Sequence, residues 1–188
     1  MLWDLLSMGG LFLCGYGSSD SHRNNDGWFS GNNFATYLAA PQNLPHPISE
    51  KVFTHSMKRG MAYTGNPVKI NGEVRFETTD GYQMGTIFKA EEASEVEIEF
   101  FMEHTEPGWQ FRLIETGLVT VAETLPSGSF SHRSVLCAGK TTVSFQRAEV
   151  YDETGKCILL TNPIYVVNVA EAAFEIPKER LVETEGRT

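Results

Sequence analysis

The chain has 188 residues, of which 41% are hydrophobic and 21% charged, so it can bury a core and is not globally disordered. The net charge is −9 and Lys and Arg do not cluster, which argues against a nucleic-acid partner. The cysteines, Cys14, Cys137 and Cys157, form neither a disulfide framework nor a C-x-x-C zinc pair. This cysteine pattern predicts a cytoplasmic protein.

The first residues, MLWDLLSMGGLFLCGYG, are apolar, but they lack a basic leader and Asp4 interrupts them. The stretch is also too short to cross a bilayer, so we expect neither a targeting segment nor a membrane partner. The spacing of Leu2, Leu5 and Leu6 predicts a short helix with these side chains on one face, ended by the glycine pair that follows. The stretch LFLCGYG predicts a short buried strand after the helix.

A helix, an apolar strand and a polar turn, in this order, form the repeating unit of an α/β barrel or layered sheet. Residues 1–65 are therefore predicted to be a terminal fragment of such a barrel, with FATYLA as a possible strand. The stretch PISEKVFTHSMKRG predicts a docking helix with Ser49 as its cap and Gly60 as its end. Its predicted inner stripe consists of Val52, Phe53, Ser56 and Met57.

Residues 66–170 alternate between apolar and polar positions, with turn signals at regular spacing, and predict an antiparallel β-sandwich. Asn71-Gly72 predicts a hairpin between two strands, and EVEIEFFME predicts a half-buried strand. The aromatic residues Trp109, Phe111, Phe100 and Phe101 fit either a core or a carbohydrate-binding face, and the core is favoured. Residues 171–188 are predicted to form a charged carboxyl-terminal tail. The predicted fold class is mainly β with a smaller α/β part.

The stretch GYGSSDSHR contains a candidate metal site. Asp20 supplies a hard oxygen and His22 a borderline nitrogen, a pair that suits zinc, manganese or iron. Arg23 is a candidate for binding a substrate phosphate, although a solvated surface arginine is the favoured interpretation. A lone D-x-H is also common in ordinary turns, where Asp and Ser bond to their own backbone.

The stretches LWDLLSMGG and CGYGSSDSHR resemble the closing segment of the polymerase and histidinol phosphatase (PHP) superfamily, and more narrowly the CehA-like metallohydrolase branch. The helix and following segment SEKVFTHSMKRGMAYTGNPV are similar to the same branch, with Gly60, Tyr63 and Pro67 at matching places. The segments YQMGT and RAEVYDETGKCILLTNPIYV resemble its appended β-domain. The resemblance implies that Asp20 and His22 are the last ligands of a site for divalent metals.

The resemblance also implies an amino-terminal H-x-H pair and further His and Glu ligands, and this sequence contains no H-x-H. The other histidines, His46, His55, His104 and His132, are expected in surface or packing roles. A hydrolytic metal site needs at least three protein ligands and an open position, so we expect the remaining ligands to lie outside these residues. We therefore expect the chain alone to bind no metal tightly and to be inactive.

Two interpretations follow. In the first, the chain is the carboxyl-terminal part of a metal-dependent hydrolase that acts on a small phosphate ester or related ester. Its partner is then an amino-terminal PHP barrel half or a second copy, and apolar surface in residues 1–45 leads to self-association or disorder there. In the second, the chain is a non-catalytic β-sandwich module for interaction or ligand binding, and SSDSH is only a turn.

Overall fold

The structure, a computed structural model, describes residues 1–18, 34–39, 49–90, 94–137, 142–168 and 172–183. Within these ranges the helices are α1 (Leu2–Met8) and α2 (Glu50–Arg59), and a short 3₁₀ helix covers Lys178–Arg180. The strands, in chain order, are β1 (Ala35–Leu38), β2 (Ala62–Gly65), β3 (Val74–Thr78), β4 (Ile87–Ala90), β5 (Glu95–Thr105), β6 (Gln110–Glu115), β7 (Leu118–Thr124), β8 (Gly128–Cys137), β9 (Val143–Tyr151), β10 (Cys157–Thr161), β11 (Ile164–Asn168) and β12 (Leu181–Glu183). The prediction of a mainly β chain is confirmed.

The strands of the described ranges form a large sheet of nine strands and a small sheet in the order β3-β5-β8. In the large sheet, β9 pairs with β6 along one edge and with β10 and then β11 along the other. Both of its edges are therefore covered, and every residue of β9 except Tyr151 is buried. This central strand carries the charged residues described in the next section.

The large sheet is mixed, so the expectation of a purely antiparallel sandwich is wrong in this respect. Strand β4 pairs in parallel with β11 and with β12. Parallel neighbours need a long connection, and β4 is separated from each of these strands by most of the β-rich part of the chain. Local hairpin signals in the sequence do not report such distant pairings.

Residues on both sides of position 65 share the large sheet. Strand β1 pairs with β2, and β2 pairs in turn with β10, where Gly65 lies opposite Leu159. The strand FATYLA is confirmed as β1. The last strand of the predicted barrel fragment is therefore joined by backbone hydrogen bonds to the strands of residues 66–170.

The two sheets share one hydrophobic core. Alternate residues of β5 are buried, as predicted, and the ring centroid of Phe100 on β5 lies 4.8 Å from that of Phe111 on β6 of the large sheet. Trp109 is fully buried in the same cluster. These three aromatic side chains are core residues, which leaves only the partly buried Phe101 of the predicted aromatic set outside it.

The opposite face of the large sheet is covered by both ends of the described chain. Tyr165 and Phe145 point to this side and pack with Phe12 from the amino-terminal segment. Phe174 and Leu181, from the region predicted as a charged tail, join the same cluster. Part of that tail therefore adds to the core and, through β12, to the sheet.

Two local predictions differ in their outcome. Helix α2 begins after Ser49, whose hydroxyl accepts a hydrogen bond from Val52 N, and ends at Gly60 in the left-handed conformation, as predicted. Its predicted inner residue Phe53 is nevertheless 50% exposed. The prediction of a hairpin at Asn71-Gly72 is wrong. The residues before this pair form a turn instead, in which the side-chain oxygen of Asn66 accepts a hydrogen bond from Val68 N at 2.9 Å.

Candidate functional site

Helix α1 is attached to the large sheet by a buried ion pair. The guanidinium of Arg147 on β9 donates from Nε to Oδ1 of Asp4 at 2.8 Å and from Nη2 to Oδ2 at 3.0 Å. Asp4 and Arg147 are each only 2% exposed. Two parallel hydrogen bonds between charged groups fix both position and orientation, so this pair holds the helix on the sheet.

Three further side chains surround this pair. Arg147 Nη1 donates to Oε1 of Glu149, and the hydroxyl of Tyr151 donates to Oε2 of Glu149 at 2.7 Å. The ring of Trp3 covers the guanidinium, with its centroid 5.3 Å from Cζ. Arg147 thus has opposite charges on two sides and an aromatic face on a third, an arrangement that compensates its desolvation.

The electrostatics of the pair favour its charged form. Burial acts to raise the pKa of Asp4, but the hydrogen bonds and the positive charge of Arg147 outweigh it and lower this pKa below the ordinary 3.8. The pKa of Arg147 is likewise raised, because Asp4 and Glu149 outweigh the opposite effect of burial. Both groups are ionised at neutral pH.

Two of the three leucines predicted to share one side of α1 are exposed to solvent. Leu2 and Leu5 are 69% and 63% exposed, whereas Asp4 and Ser7 are buried. The physical reason is the ion pair, since a helix that places Asp4 on Arg147 must turn Leu2 and Leu5 outward, while Leu6 stays half-buried. The helix itself and its end at the glycine pair are as predicted.

The segment after α1 was predicted to be a buried strand, and within the described residues 11–18 it forms none. Its backbone instead bonds to side chains: Gly15 N donates to Oδ1 of Asn162 at 2.6 Å, and Gly17 N donates to Oγ1 of Thr36 at 2.9 Å. The carbonyl of Phe12 accepts from Arg180. Side-chain partners hold the segment in place where strand neighbours were expected.

A cavity of about 320 Å³ lies at the end of this segment. Its lining is mostly apolar and aromatic: Trp3, Gly15, Tyr16, Gly17, Ser18, Phe34, Thr64 and Leu160. Ser18 and Phe34 flank residues 19–33, which lie outside the described residues and contain the predicted metal ligands. Trp3 therefore lies both over the ion pair and against this cavity.

The predicted ligands Asp20 and His22 and the predicted phosphate-binding residue Arg23 lie outside the described residues, as does His46. Among the described histidines, His55 is exposed on α2 and His104 is exposed with φ 54°. His132 is half-buried, with Nδ1 3.1 Å from a carboxylate oxygen of Glu123. Within the described ranges no three His, Cys, Asp or Glu side chains are grouped for a metal ion.

The half-buried thiols of Cys14 and Cys157 and the partly exposed phenol of Tyr16 are poor nucleophiles at neutral pH. Burial raises the pKa of the Cys14 thiol, and burial followed by the charge of Glu149 raises the pKa of Cys157 to about 11. Burial also raises the pKa of Tyr16 to about 12. These groups pack and donate hydrogen bonds, and thiolate chemistry is disfavoured at both thiols.

Sequence reasoning missed Arg147 and Arg180, although a signal for the first was present. Arg147 lies in the predicted strand VSFQRAEV, and Asp4 interrupts the apolar helix; a charge that becomes buried in either element needs an opposite charge. Pairing the two across the sequence would have oriented α1 correctly. Arg180 stands in a run of charged residues and carries no comparable signal.

Comparisons of the chain with protein-family models, with curated proteins and with solved structures give no match. Among the described residues, no helix has the length and apolar character needed to span a membrane.

Proposed function

We propose that this chain is the carboxyl-terminal part of a PHP-type, metal-dependent phosphoesterase, in which Asp20 and His22 supply the last ligands of a divalent-metal site. The other ligands come from an amino-terminal barrel half or from a second copy of the chain. Zinc, manganese or iron is the expected metal, and a small phosphate ester is the expected substrate, with Arg23 placed next to the ligands in sequence to meet its phosphate.

The observation that carries this proposal is a helix and following segment that are fixed in place yet turn apolar side chains to solvent. Besides Leu2 and Leu5 on α1, Leu11 and Leu13 of the following segment are 53% and 39% exposed. A mobile appendage would not be held by a buried ion pair and a series of side-chain hydrogen bonds. A piece of a barrel that awaits neighbouring strands has these two properties together.

The strand β7, which begins beside α1, also carries exposed apolar residues. A Cβ at Gly117 in the β6–β7 turn would lie 3.5 Å from Cβ of Asp4, so this turn abuts α1. The next residues, Leu118 and Val119, are 71% and 55% exposed. If the surface joins copies of the chain, Leu5→Glu lowers the average mass in sedimentation equilibrium, and an unchanged mass contradicts self-association through this surface.

The experiment is a titration of the metal-free chain with Zn²⁺ and Mn²⁺. Calorimetry measures the binding, and circular dichroism shows whether the fold is intact. Two ligands alone give weak binding, and we expect the double variant Asp20→Ala/His22→Ala to abolish it without changing the circular dichroism spectrum. The matched control is His55→Ala, which removes an exposed histidine from α2 and should leave binding unchanged. Binding that survives in the double variant contradicts the assignment of these two residues.

The non-catalytic module remains the second candidate. The observation that favours it is the cavity of about 320 Å³ with Trp3, Tyr16 and Phe34 in its lining, which suits an apolar ligand. The same titration separates the two candidates, because a ligand-binding module gives no metal response that depends on Asp20 and His22.

A further inference from the structure

The pair Asn71-Gly72, whose sequence predicts a hairpin, lies instead in a bend just before β3. Both residues are exposed, and the φ of Gly72 is +95°. Among the described residues, neither the side-chain amide of Asn71 nor the peptide N–H of Gly72 has a hydrogen-bond partner. The bend therefore holds an untied side-chain amide and an untied peptide nitrogen in consecutive exposed residues.

An untied asparagine before glycine has a route to lose ammonia without an enzyme. The nitrogen of the glycine attacks Cγ of the asparagine, the new N–Cγ bond closes a five-membered imide, and the Cγ–Nδ2 bond breaks. The leaving nitrogen takes up the proton of the peptide N–H and departs as ammonia. Water then opens the imide at either carbonyl, which leaves aspartate or isoaspartate and one new negative charge. Glycine favours the ring closure because it has no side chain and is free in its backbone angles.

The other asparagines of the described ranges do not meet these conditions. Asn66 and Asn162 are 2% and 1% exposed, and each is followed by proline, which has no N–H to attack with. Asn168 is the last residue of β11 and is followed by valine, whose branched side chain crowds the attacking nitrogen. Within the described ranges, Asn71 is therefore the asparagine whose sequence and surroundings both permit the reaction.

The bend is attached to β5 by two reciprocal hydrogen bonds. Glu103 N donates to the carbonyl of Glu73, and Glu73 N donates to Oε2 of Glu103, both at 2.9 Å. The main chain at Gly72 is also closely packed, since a Cβ there would lie 2.8 Å from the same Oε2 and 2.6 Å from Cδ2 of His104. The chain just after Asn71 therefore has little room to shift toward β5.

We propose that Asn71 is a site of spontaneous deamidation in the folded chain, and that isoaspartate at this position weakens the attachment of β3 to β5. Isoaspartate continues the main chain through its side-chain carbon and so adds one methylene to the backbone just before Gly72. The added length falls where Glu103 and His104 already pack against the glycine. The new charge also enters a bend that contains the acidic side chains of Glu73 and Glu103, and like charges repel. This site is independent of the proposed metal centre.

The first experiment follows the reaction by mass spectrometry. The purified chain is incubated at neutral and mildly alkaline pH and digested with trypsin, which releases Asn71 in residues 70–75 and Asn66 in residues 60–69. We expect the peptide 70–75 to acquire the mass increase of OH replacing NH₂ at least tenfold faster than the peptide 60–69. A sample digested without incubation gives the baseline, and equal rates for the two peptides overturn the proposal.

A urea-unfolded sample tests whether the folded bend leaves the reaction open. Because the amide of Asn71 and the N–H of Gly72 are untied, the folded rate should lie within about tenfold of the unfolded rate. A folded rate that is lower by more than this factor means that the fold protects Asn71, which contradicts the proposal.

The second experiment measures the effect on β3. Anion exchange isolates the deamidated chain, and the retention of the peptide 70–75 distinguishes isoaspartate from aspartate. We expect the isoaspartate form to melt at a lower temperature than Asn71→Asp, which carries the charge without the extra methylene, and to lose hydrogen-exchange protection at the amides of Glu73 and Glu103. The control Asn71→Gln, incubated in the same way, should keep this protection. Unchanged protection in the isoaspartate form overturns the proposed weakening of β3.

Discussion

Replacing Asp4 with Ala will lower the free energy of unfolding by about 3 kcal/mol at neutral pH, because it leaves the buried guanidinium of Arg147 without its bidentate partner. Asp4→Asn keeps one acceptor and should cost less. Urea unfolding measures the change, and hydrogen exchange of α1 amides shows where protection is lost. A loss confined to α1 would mean that the helix detaches before the sheet unfolds.

The matched control for Asp4 is an exposed ion pair, Arg133 with Glu99, whose nearest atoms are 3.4 Å apart and whose side chains are 76% and 28% exposed. Glu99→Gln should cost less than about 1 kcal/mol, since solvent screens this pair. Equal costs for Asp4→Ala and Glu99→Gln would contradict the view that the buried pair fixes α1 to the sheet.

The pH dependence of the same variant follows from the lowered pKa of Asp4. A carboxyl whose folded pKa is depressed contributes stability above its unfolded pKa, about 3.9, and loses it as the pH falls through the folded value. Arg147 stays charged throughout this range. The stability difference between wild type and Asp4→Ala should therefore be constant near neutral pH and shrink below about pH 4.

The second large effect is expected at Gly85, where α2 ends against the turn before β4. A Cβ there would lie 2.6 Å from both C and O of Gly60 and closer still to the carbonyl oxygen of Arg59, all backbone atoms that side-chain rotation cannot move. The φ of Gly85 is also +91°, which L residues rarely adopt. Gly85→Ala should destabilise the chain by more than about 4 kcal/mol or prevent its folding.

Gly81 provides the control for Gly85. Its φ is +90°, almost the same, but a Cβ there would meet nothing within 4 Å. Gly81→Ala should therefore cost only the backbone strain, about 1 to 2 kcal/mol. If the midpoints of urea unfolding shift equally for the two variants, the close approach of α2 and the turn at Gly85 is not as described.

Local sequence signals predict the buried residues of β5 and the ends of α2 correctly. The alternation in EVEIEFFME identifies the buried residues of β5, and the serine and glycine around α2 mark its ends, because these features depend on neighbouring residues. The pairing of β4 with β11 and β12 depends on contacts between distant residues, and no local pattern reports it.

The orientation of α1 illustrates why part of the site was not predictable from periodicity. Leucine spacing alone turns Leu2 and Leu5 inward, but the buried partner of Asp4 is 143 residues away on β9. A strong ionic contact overrode a weak preference for burying two leucines. The metal turn itself, with Asp20 and His22, lies outside the described residues, so those two assignments rest on residue chemistry and on the family resemblance.

The most direct test of the two-ligand metal site is the metal content of the purified chain, measured together with its turnover of a simple phosphate ester in added Zn²⁺ or Mn²⁺. An incomplete site retains much less than one metal ion per chain and gives no turnover above the metal alone. One tightly held ion per chain, or hydrolysis that persists in Asp20→Ala/His22→Ala, would contradict it.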